Sequence, residues 1–223
     1  MNIALIIARI GSKRIKNKNI KFFFGKPVIA YSIINALNSK IFSRVIVSTE
    51  SKKISNISKF YGAEVPFKRP KKLANNKTPT IKVIQHAIKK LSLKKKYINI
   101  CCIYPVAPLL STKLLIKSYR KFKKLNADFL IPVLKKEKIG KRFFYINNKG
   151  FLRETKIKKK KLYQDSGQFY WGTNKSFLKC SNPTNSRSVI PSHRVKAQRN
   201  DSNDGLIKKV RYITIAGPMN IST

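Results

Sequence analysis

Short apolar runs alternate with amphipathic segments over the first 133 residues, and this alternation constrains the fold more than any other feature. The apolar runs have the length and composition of buried strands, and they lie at residues 3–8, 45–47, 98–104 and 129–133. Between them, apolar residues recur at helical spacing in segments 28–37, 51–61, 80–91 and 111–125. Strands that alternate with helices predict an α/β fold, a mostly parallel sheet flanked by helices and joined by right-handed crossovers.

The pattern changes after residue 133. Short aromatic runs at 143–146 and 151–152 are separated by a polar, hairpin-like turn signal, and strand character returns at 168–171. We therefore predict one domain over residues 1–223 that carries a small β-rich insertion at about 134–170. We assign no structure to the tail, residues 210–223, beyond noting that it lacks a helical pattern.

The first apolar run ends in a basic loop that contains Arg9, Gly11, Ser12 and Lys13. A glycine after a buried strand lets backbone N–H groups approach an anion, and nearby cations neutralise its charge. The loop lacks both the Gly-x-x-x-x-Gly-Lys-Ser/Thr spacing of a P-loop and the Gly-x-Gly-x-x-Gly of a dinucleotide site. It is a candidate phosphate site, although local chemistry alone leaves a solvated surface loop as an equal alternative.

The charge of the chain is extreme, with 50 Lys and Arg against 8 Asp and Glu and a formal net charge of +42. One interpretation is biased coding, because Lys, Asn and Ile are abundant throughout the sequence. The other is a polyanionic partner such as nucleic acid. We favour coding bias, because the lysines are spread along the whole chain, and we still expect weak non-specific binding to RNA.

The cysteines and the hydropathy of the sequence indicate the cellular compartment in which the protein is expected. Cys101, Cys102 and Cys180 lack the spacing of a zinc site, and we interpret them as buried thiols in a reducing environment. No stretch reaches the roughly 18 apolar residues of a membrane span. The N-terminal apolar run is too short for a signal peptide. We therefore expect a cytoplasmic protein without a membrane partner.

Several separate segments resemble motifs of the CMP-sugar-acid synthetases, the acylneuraminate cytidylyltransferase family. Residues 8–14, together with 18–20, look like the family signature ARGGSKR…KNI, and residues 69–78 are similar to its RPxxLAxD(x)T loop. Residues 104–109 match the segment of the pyrimidine pocket, which is commonly QPTSPL. Within the family, segments 103–105, 165–172 and 187–191 most resemble the pseudaminic acid branch. The resemblance covers roughly residues 1–200 in family order.

This resemblance implies a Rossmann-like nucleotidyltransferase fold and CTP-dependent activation of a nine-carbon sugar acid, with pseudaminic acid as the first expectation. In that reaction the anomeric hydroxyl of the sugar attacks the α-phosphate of CTP, and pyrophosphate leaves. Two alternatives stay open. The substrate is another acid (sialic, legionaminic or Kdo-like), or the chain is a degenerate relative that binds nucleotides or RNA without turnover. Family members are commonly homodimers, and the β-rich insertion is the expected contact.

The roles of family residues carry over onto matching positions of this chain. Arg9 and Lys18 are the implied catalytic residues. The implied CTP contacts are Arg9, Gly11, Ser12, Lys13, Lys18, Asn19, Arg69, Thr78 and Thr80. The implied contacts to the sugar acid are Tyr104, Asp165, Gln168 and Tyr170.

The resemblance also implies Mg²⁺ as a cofactor, expected at Asp201 and then Asp204. Mg²⁺ prefers hard, anionic oxygen ligands together with substrate phosphates. The chain departs from the family pattern at three positions. Arg199 replaces one expected aspartate of the metal segment, Asn76 replaces the aspartate of the LAxD loop, and Ile10 replaces the first glycine of the GG pair.

Overall fold

The computed structural model describes residues 1–12, 14–93, 97–136, 143–146, 152–155, 162–180 and 210–215. Its strands are β1 Asn2–Ile7, β2 Phe22–Phe23, β3 Lys26–Pro27, β4 Arg44–Ser48, β5 Asn99–Ile103, β6 Phe129–Lys136, β7 Phe143–Ile146, β8 Leu152–Thr155, β9 Leu162–Asp165, β10 Phe169–Thr173 and β11 Val210–Ile215. Its helices are α1 Val28–Asn38, α2 Lys52–Phe60, α3 Thr80–Lys90, α4 Thr112–Leu125 and α5 Asn174–Lys179, with short 3-10 helices at Lys18–Ile20 and Lys71–Leu73.

One large sheet organises the described residues, in the strand order β4-β1-β5-β10-β6-β9-β7-β8, and β11 also pairs with β6. Strand β1 is parallel to β4 and β5, and β6 is parallel to β11. Strand β10 lies antiparallel between β5 and β6, so β1, β4, β5, β6 and β11 all run in one direction. The predicted α/β fold, with a largely parallel central sheet, is confirmed.

Local sequence signals account for the predicted helices. The Ser51 hydroxyl accepts a hydrogen bond from the Ile54 N–H at 3.4 Å and caps α2, and the Ser111 hydroxyl accepts one from Leu114 at 3.2 Å and caps α4. Gly62 follows α2 with a φ of 89°, the left-handed conformation that commonly ends a helix. Each of the four predicted helical segments contains a helix.

The sheet has a hydrophobic core on each face, which explains why its central strands are apolar at most positions. In β1, Ala4 and Ile6 pack into one core, while Ile3 and Leu5 pack into the other. Trp171 on β10 is fully buried in the first core, where its indole N–H donates to the Ser118 hydroxyl of α4 at 2.8 Å. The helices thus shield both faces and leave the strand ends accessible.

The remaining fold predictions have mixed outcomes. Strands β7, β8 and β9 extend the sheet beyond β6 in the region of the predicted insertion, and β11 lies in the tail to which we assigned no structure. Residues 156–161, a lysine-rich run that we interpret from the sequence as a solvated connection, lie outside the described residues. The three cysteines are buried free thiols, as expected. Across the described parts of the chain, the helices are too short or too polar to cross a membrane.

Candidate functional site

A cavity of about 340 Å³ opens where β1 and β5 end and their following loops begin. It joins three segments that are far apart in the sequence: the loop after β1, the Arg69 loop and the segment after β5. Its lining comprises Ile7, Arg9, Ser12, Lys18, Asn19, Arg69, Leu73, Asn75, Thr78, Thr80, Val83, Tyr104, Pro105, Val106 and Gly167. A crevice at the carboxyl ends of parallel strands is the usual ligand site of an α/β sheet.

Most of the predicted site residues meet in this cavity. Those that line it are Arg9, Ser12, Lys18, Asn19, Arg69, Thr78, Thr80 and Tyr104. Gly11 belongs to the same loop but does not line the cavity, and neither do Asp165, Gln168 and Tyr170. Lys13, Asp201 and Asp204 lie outside the described residues. The roles inferred for all these residues stay predictions.

Hydrogen bonds to its backbone groups hold the loop after β1 in place. The Ala8 N–H donates to the Ser48 carbonyl of β4 at 3.1 Å. The buried Asn19 amide donates to the Arg9 carbonyl at 2.7 Å, and the Ile10 N–H donates to Glu50 Oε1 at 2.8 Å. The Ile10 side chain packs against the core, so an isoleucine at this position anchors the loop where the family has a glycine.

Arg69 is buried beneath this loop, with a side chain that is only 3% exposed. Its Nη2 donates to the Ala8 carbonyl and pairs with Glu50 Oε2 at 3.0 Å. Burial lowers the pKa of Arg69, and the neighbouring Glu50 carboxylate opposes that shift. Its Nε is buried without a hydrogen-bond partner in the described residues, and the residue as a whole lines the cavity.

Glu50 is the main residue that the sequence did not single out. It follows β4 at the same sheet edge as the basic loop, and its side chain is 10% exposed. One feature of the sequence could have identified Glu50. A carboxylate directly after a buried strand is conspicuous in a chain that has only 8 acidic residues.

Asn75 is a second residue that the sequence did not single out. Its side-chain oxygen accepts hydrogen bonds from the N–H groups of Lys77 and Thr78, each at 2.8 Å, and from the Thr78 hydroxyl at 3.0 Å. Such a side-chain turn is typical of asparagine. It holds the loop in the conformation that places Thr78 on the cavity wall. The neighbouring Asn76 is exposed and does not line the cavity.

Tyr104 connects the cavity to a buried polar cluster. Its hydroxyl lies 3.3 Å from the Thr80 hydroxyl, and its ring contacts the ring of Tyr170 edge-on, at a centroid distance of 5.5 Å. The Tyr170 hydroxyl donates to Asp165 Oδ2, and the Gly167 N–H donates to Asp165 Oδ1 at 2.8 Å. Burial raises the pKa of Tyr104, Asp165 and Tyr170.

Gln168 contacts Tyr104 through its backbone. Its carbonyl accepts a hydrogen bond from the Tyr104 N–H at 2.9 Å, which continues the pairing of β10 with β5. Its side-chain oxygen is buried without a hydrogen-bond partner in the described residues. The predicted sugar-acid residues therefore cluster around Tyr104, but only Tyr104 reaches the cavity surface.

The chemistry of the lining favours an anionic ligand. Arg9, Lys18 and Arg69 contribute cationic groups, while hydroxyl and amide groups contribute further donors. No carboxylate is part of the described lining, and the described residues contain no group of three or more His, Cys, Asp or Glu that could hold a metal ion. This donor set suits phosphate oxygens.

An α/β sheet with a cationic cavity at its strand ends defines a nucleotide-binding class of protein. Comparison with protein families narrows this class. The chain belongs to the cytidylyltransferase family, because the family profile described as "Cytidylyltransferase" matches residues 3–204.

Individual relatives agree with this assignment. The pseudaminic acid cytidylyltransferase of Campylobacter jejuni is 39% identical over 206 residues, which cover 87% of this chain and 89% of the relative. The CMP-N,N'-diacetyllegionaminic acid synthase of the same species is 46% identical over 86 residues, covering 39% of this chain and 37% of the relative. A solved structure of CMP:2-keto-3-deoxy-manno-octonic acid synthetase complexed with CTP aligns with a TM-score of 0.69 and 11% identity, covering 96% of this chain and 89% of that chain. The last likeness concerns the fold, and it confirms the predicted nucleotidyltransferase architecture.

Proposed function

We propose that this protein is a CTP-dependent cytidylyltransferase that joins CMP to pseudaminic acid and releases pyrophosphate. The observation that carries the proposal is the cationic cavity in which the loop after β1, the Arg69 loop and Tyr104 meet. The identity of the sugar acid rests on the Campylobacter relative named for that activity, whose match extends over nearly the full length of both chains.

The proposed reaction needs charge neutralisation more than covalent catalysis. The anomeric oxygen of the sugar attacks the α-phosphorus, the bond from that phosphorus to the bridging oxygen breaks, and pyrophosphate carries the electron pair away. The hydroxyl proton is released. We assign Arg9, Lys18 and the Ser12 hydroxyl to the triphosphate, where fixed positive charge stabilises the developing negative charge. We assign Arg69, which lines the same cavity, to the cytidine.

The sugar acid is assigned to the wall formed by Tyr104. Its hydroxyl is held near Thr80 and its ring against Tyr170, so Tyr104 presents a fixed polar tip to the cavity. Asp165 and Gln168 lie on the segment that supports this wall. This arrangement orients the attacking hydroxyl relative to the nucleotide.

We propose Mg²⁺ as the cofactor, held by Asp201 and Asp204 together with substrate phosphates. The described lining of the cavity supplies donors and cations, so the anionic oxygens that Mg²⁺ prefers have to come from elsewhere in the chain. When bound, the ion would supply further neutralisation of the phosphate oxygens. Removing divalent ions with a chelator should abolish turnover, and added Mg²⁺ should restore it. Full activity in the presence of chelator would contradict the proposal.

The test of the proposed function is pyrophosphate release from CTP with a panel of sugar acids: pseudaminic, N-acetylneuraminic, legionaminic and Kdo. Arg9→Ala should lower kcat/KM by about a hundredfold or more, because it removes a cation from the site of charge development. Arg120→Ala is the matched control, since Arg120 is exposed on α4. Absence of release with every acid, while CTP still binds, would instead support a degenerate nucleotide-binding relative.

Legionaminic acid is the second candidate substrate. The legionaminic acid synthase has a higher sequence identity to this chain, 46% against 39% for the pseudaminic acid enzyme, but over 86 residues instead of 206. The same panel separates the two, because the favoured acid should have the highest kcat/KM.

We also propose a homodimer whose contact includes the region 134–170. In the described residues, β8 lies at the end of the strand order, and an unpaired strand edge can pair with another chain. Light scattering should give twice the mass of one chain. A monomer at assay concentration would contradict the proposal.

The net charge of +42 supports a further proposal, weak and non-specific binding to nucleic acid. This binding would add to the enzyme activity and would not replace it.

A further inference from the structure

Glu50 lies against the candidate site without being part of the cavity lining. It follows β4, and its side chain is directed towards the loop after β1, where both carboxylate oxygens are used. Oε1 accepts from the Ile10 N–H at 2.8 Å, and Oε2 pairs with Arg69 Nη2 at 3.0 Å. One carboxylate thus connects two segments that do line the cavity.

The contact with Ile10 fixes the basic loop at its centre. Ile10 lies between Arg9, which lines the cavity, and Gly11. Its side chain packs against the core while its N–H is bound to Glu50, so the residue is held from two sides. The position of Arg9 therefore depends on a hydrogen bond to a residue 40 positions away in the sequence.

The contact with Arg69 supplies a counterion. Arg69 is 3% exposed, and its Nη2 also donates to the Ala8 carbonyl at the end of β1. A buried guanidinium without a negative partner is strongly unfavourable, so Glu50 is what allows Arg69 to remain beneath the loop as a cation. Arg69 in turn holds Ala8, and this closes a ring of contacts through Ala8, Ile10, Glu50 and Arg69.

We propose that Glu50 is a positioning residue that holds the Arg9 loop and Arg69 in the geometry that binds CTP. The proposal rests on the proposed function, because it assumes that CTP occupies this cavity. Glu50 touches a lining residue, Arg69, without being part of the lining itself, so its effect on the nucleotide is indirect. Both of its carboxylate oxygens are bound to the Arg9 loop and Arg69, so its effect on the sugar acid beside Tyr104 is small.

Two substitutions separate the contributions of Glu50. Glu50→Gln keeps an oxygen that accepts from the Ile10 N–H but places an amide NH₂ against the guanidinium. Glu50→Asp keeps the charge but shortens the side chain by one methylene. Glu64→Gln is the matched control, because Glu64 pairs with Arg44 at 2.6 Å on the same part of the sheet but is 46% exposed.

The experiment measures CTP binding by calorimetry, and it measures kcat and the KM of each substrate from pyrophosphate release. Glu50→Gln should weaken CTP binding and raise the KM for CTP by about tenfold or more, as expected for the loss of a charged hydrogen bond. The KM for the sugar acid should change by less than about twofold, and Glu64→Gln should match the wild type. A merely structural role would reduce the amount of folded enzyme, which lowers kcat and leaves both KM values unchanged.

The outcomes distinguish this proposal from the proposed function. If the wild type binds CTP and both Glu50 variants bind it equally well, the positioning role is overturned and the proposed function survives. If the wild type does not bind CTP, the proposed function fails and the positioning role fails with it. Should Glu50→Gln not fold, Glu50→Asp decides the question. Weaker CTP binding with an unchanged sugar-acid KM supports the proposal, and unchanged CTP binding overturns it.

Discussion

At the residue scale, two opposing influences act on the ionisation of Asp165. Burial raises its pKa, while hydrogen bonds from the Tyr170 hydroxyl and the Gly167 N–H lower it. Burial is the larger influence, so the folded-state pKa lies above the unfolded value. Asp165 therefore contributes stability that is fully present below its unfolded pKa and is lost as the pH rises through its folded pKa. The Tyr170 hydrogen bond works in the opposite direction, because it stabilises the ionised carboxylate.

Tyr170→Phe should lower the free energy of unfolding by about 2 kcal/mol at neutral pH, because it removes a hydrogen bond to a partly buried carboxylate. The stability lost in Tyr170→Phe should become smaller as the pH falls through the pKa of Asp165. A protonated, neutral carboxyl group is stabilised less by the Tyr170 hydroxyl than an ionised carboxylate is. Urea unfolding over a pH series measures this difference.

Tyr31→Phe is the control for this prediction. The Tyr31 hydroxyl lies 2.7 Å and 2.9 Å from the carbonyl oxygens of Phe23 and Phe24, which are neutral acceptors. The change in the free energy of unfolding caused by Tyr31→Phe should therefore not depend on pH across the range in which Asp165 titrates. The same pH dependence in both variants would contradict the role assigned to Asp165.

Residues of the candidate site could be predicted from the sequence where they belong to a local motif. Arg9, Lys18 and Thr78 lie in motif segments, and all three line the cavity. Glu50 has no motif around it, because its role arises from contacts to residues 40 and 19 positions away. A single sequence shows which residue types are present but not which distant ones meet.

At the scale of the element, β10 was predicted as a strand but its position in the sheet was not. Its apolar composition is a local property, whereas its place between β5 and β6 depends on two pairing partners. It runs antiparallel to both, in a sheet that was predicted to be mostly, not entirely, parallel. Strand β9 is also antiparallel to β6, so β10 continues the chain in the direction that β9 already has.

Gly172 shows how closely β10 packs against its neighbours. An added Cβ would lie 2.7 Å from ring atoms of both Phe129 and Phe177, which are fully buried. Gly172→Ala should therefore lower the free energy of unfolding by about 1–3 kcal/mol through overpacking. Chemical denaturation measures this loss.

Two further variants test the mechanism of that loss. Phe177→Leu in the Gly172→Ala background should recover part of the stability, because it removes one of the colliding rings. Gly11→Ala should change stability by less than about 0.5 kcal/mol, since the nearest atom to its Cβ would be 3.9 Å away. Equal losses for Gly172→Ala and Gly11→Ala would show that packing at Gly172 is not the cause.

At the scale of the whole molecule, the excess of 50 basic over 8 acidic residues dominates the electrostatics. Glu50 and Glu64, two of the few carboxylates, each pair with an arginine. Most of the positive charge therefore has no acidic partner with which to pair. This charge attracts CTP to a cationic cavity, and it attracts any other polyanion as well.

Single-stranded RNA should bind with an affinity that falls steeply with salt, because binding releases counterions from the phosphates. For six phosphate contacts to a single strand, the loss between about 50 mM and 200 mM salt is roughly three hundredfold. Fluorescence anisotropy with homopolymers measures both the slope and the lack of sequence preference. An affinity that does not change with salt would contradict an electrostatic origin.

The sequence by itself determined the alternation of strands and helices, the helical segments that begin near Ser51 and Ser111, and the cationic loop after β1. These features depend on periodicity and residue type over short stretches of chain. Only the tertiary structure decided that β10 lies antiparallel between β5 and β6, and that Glu50 joins Ile10 to Arg69 beneath the cavity. Both depend on contacts between residues distant in the sequence, and packing across the whole sheet selects those contacts.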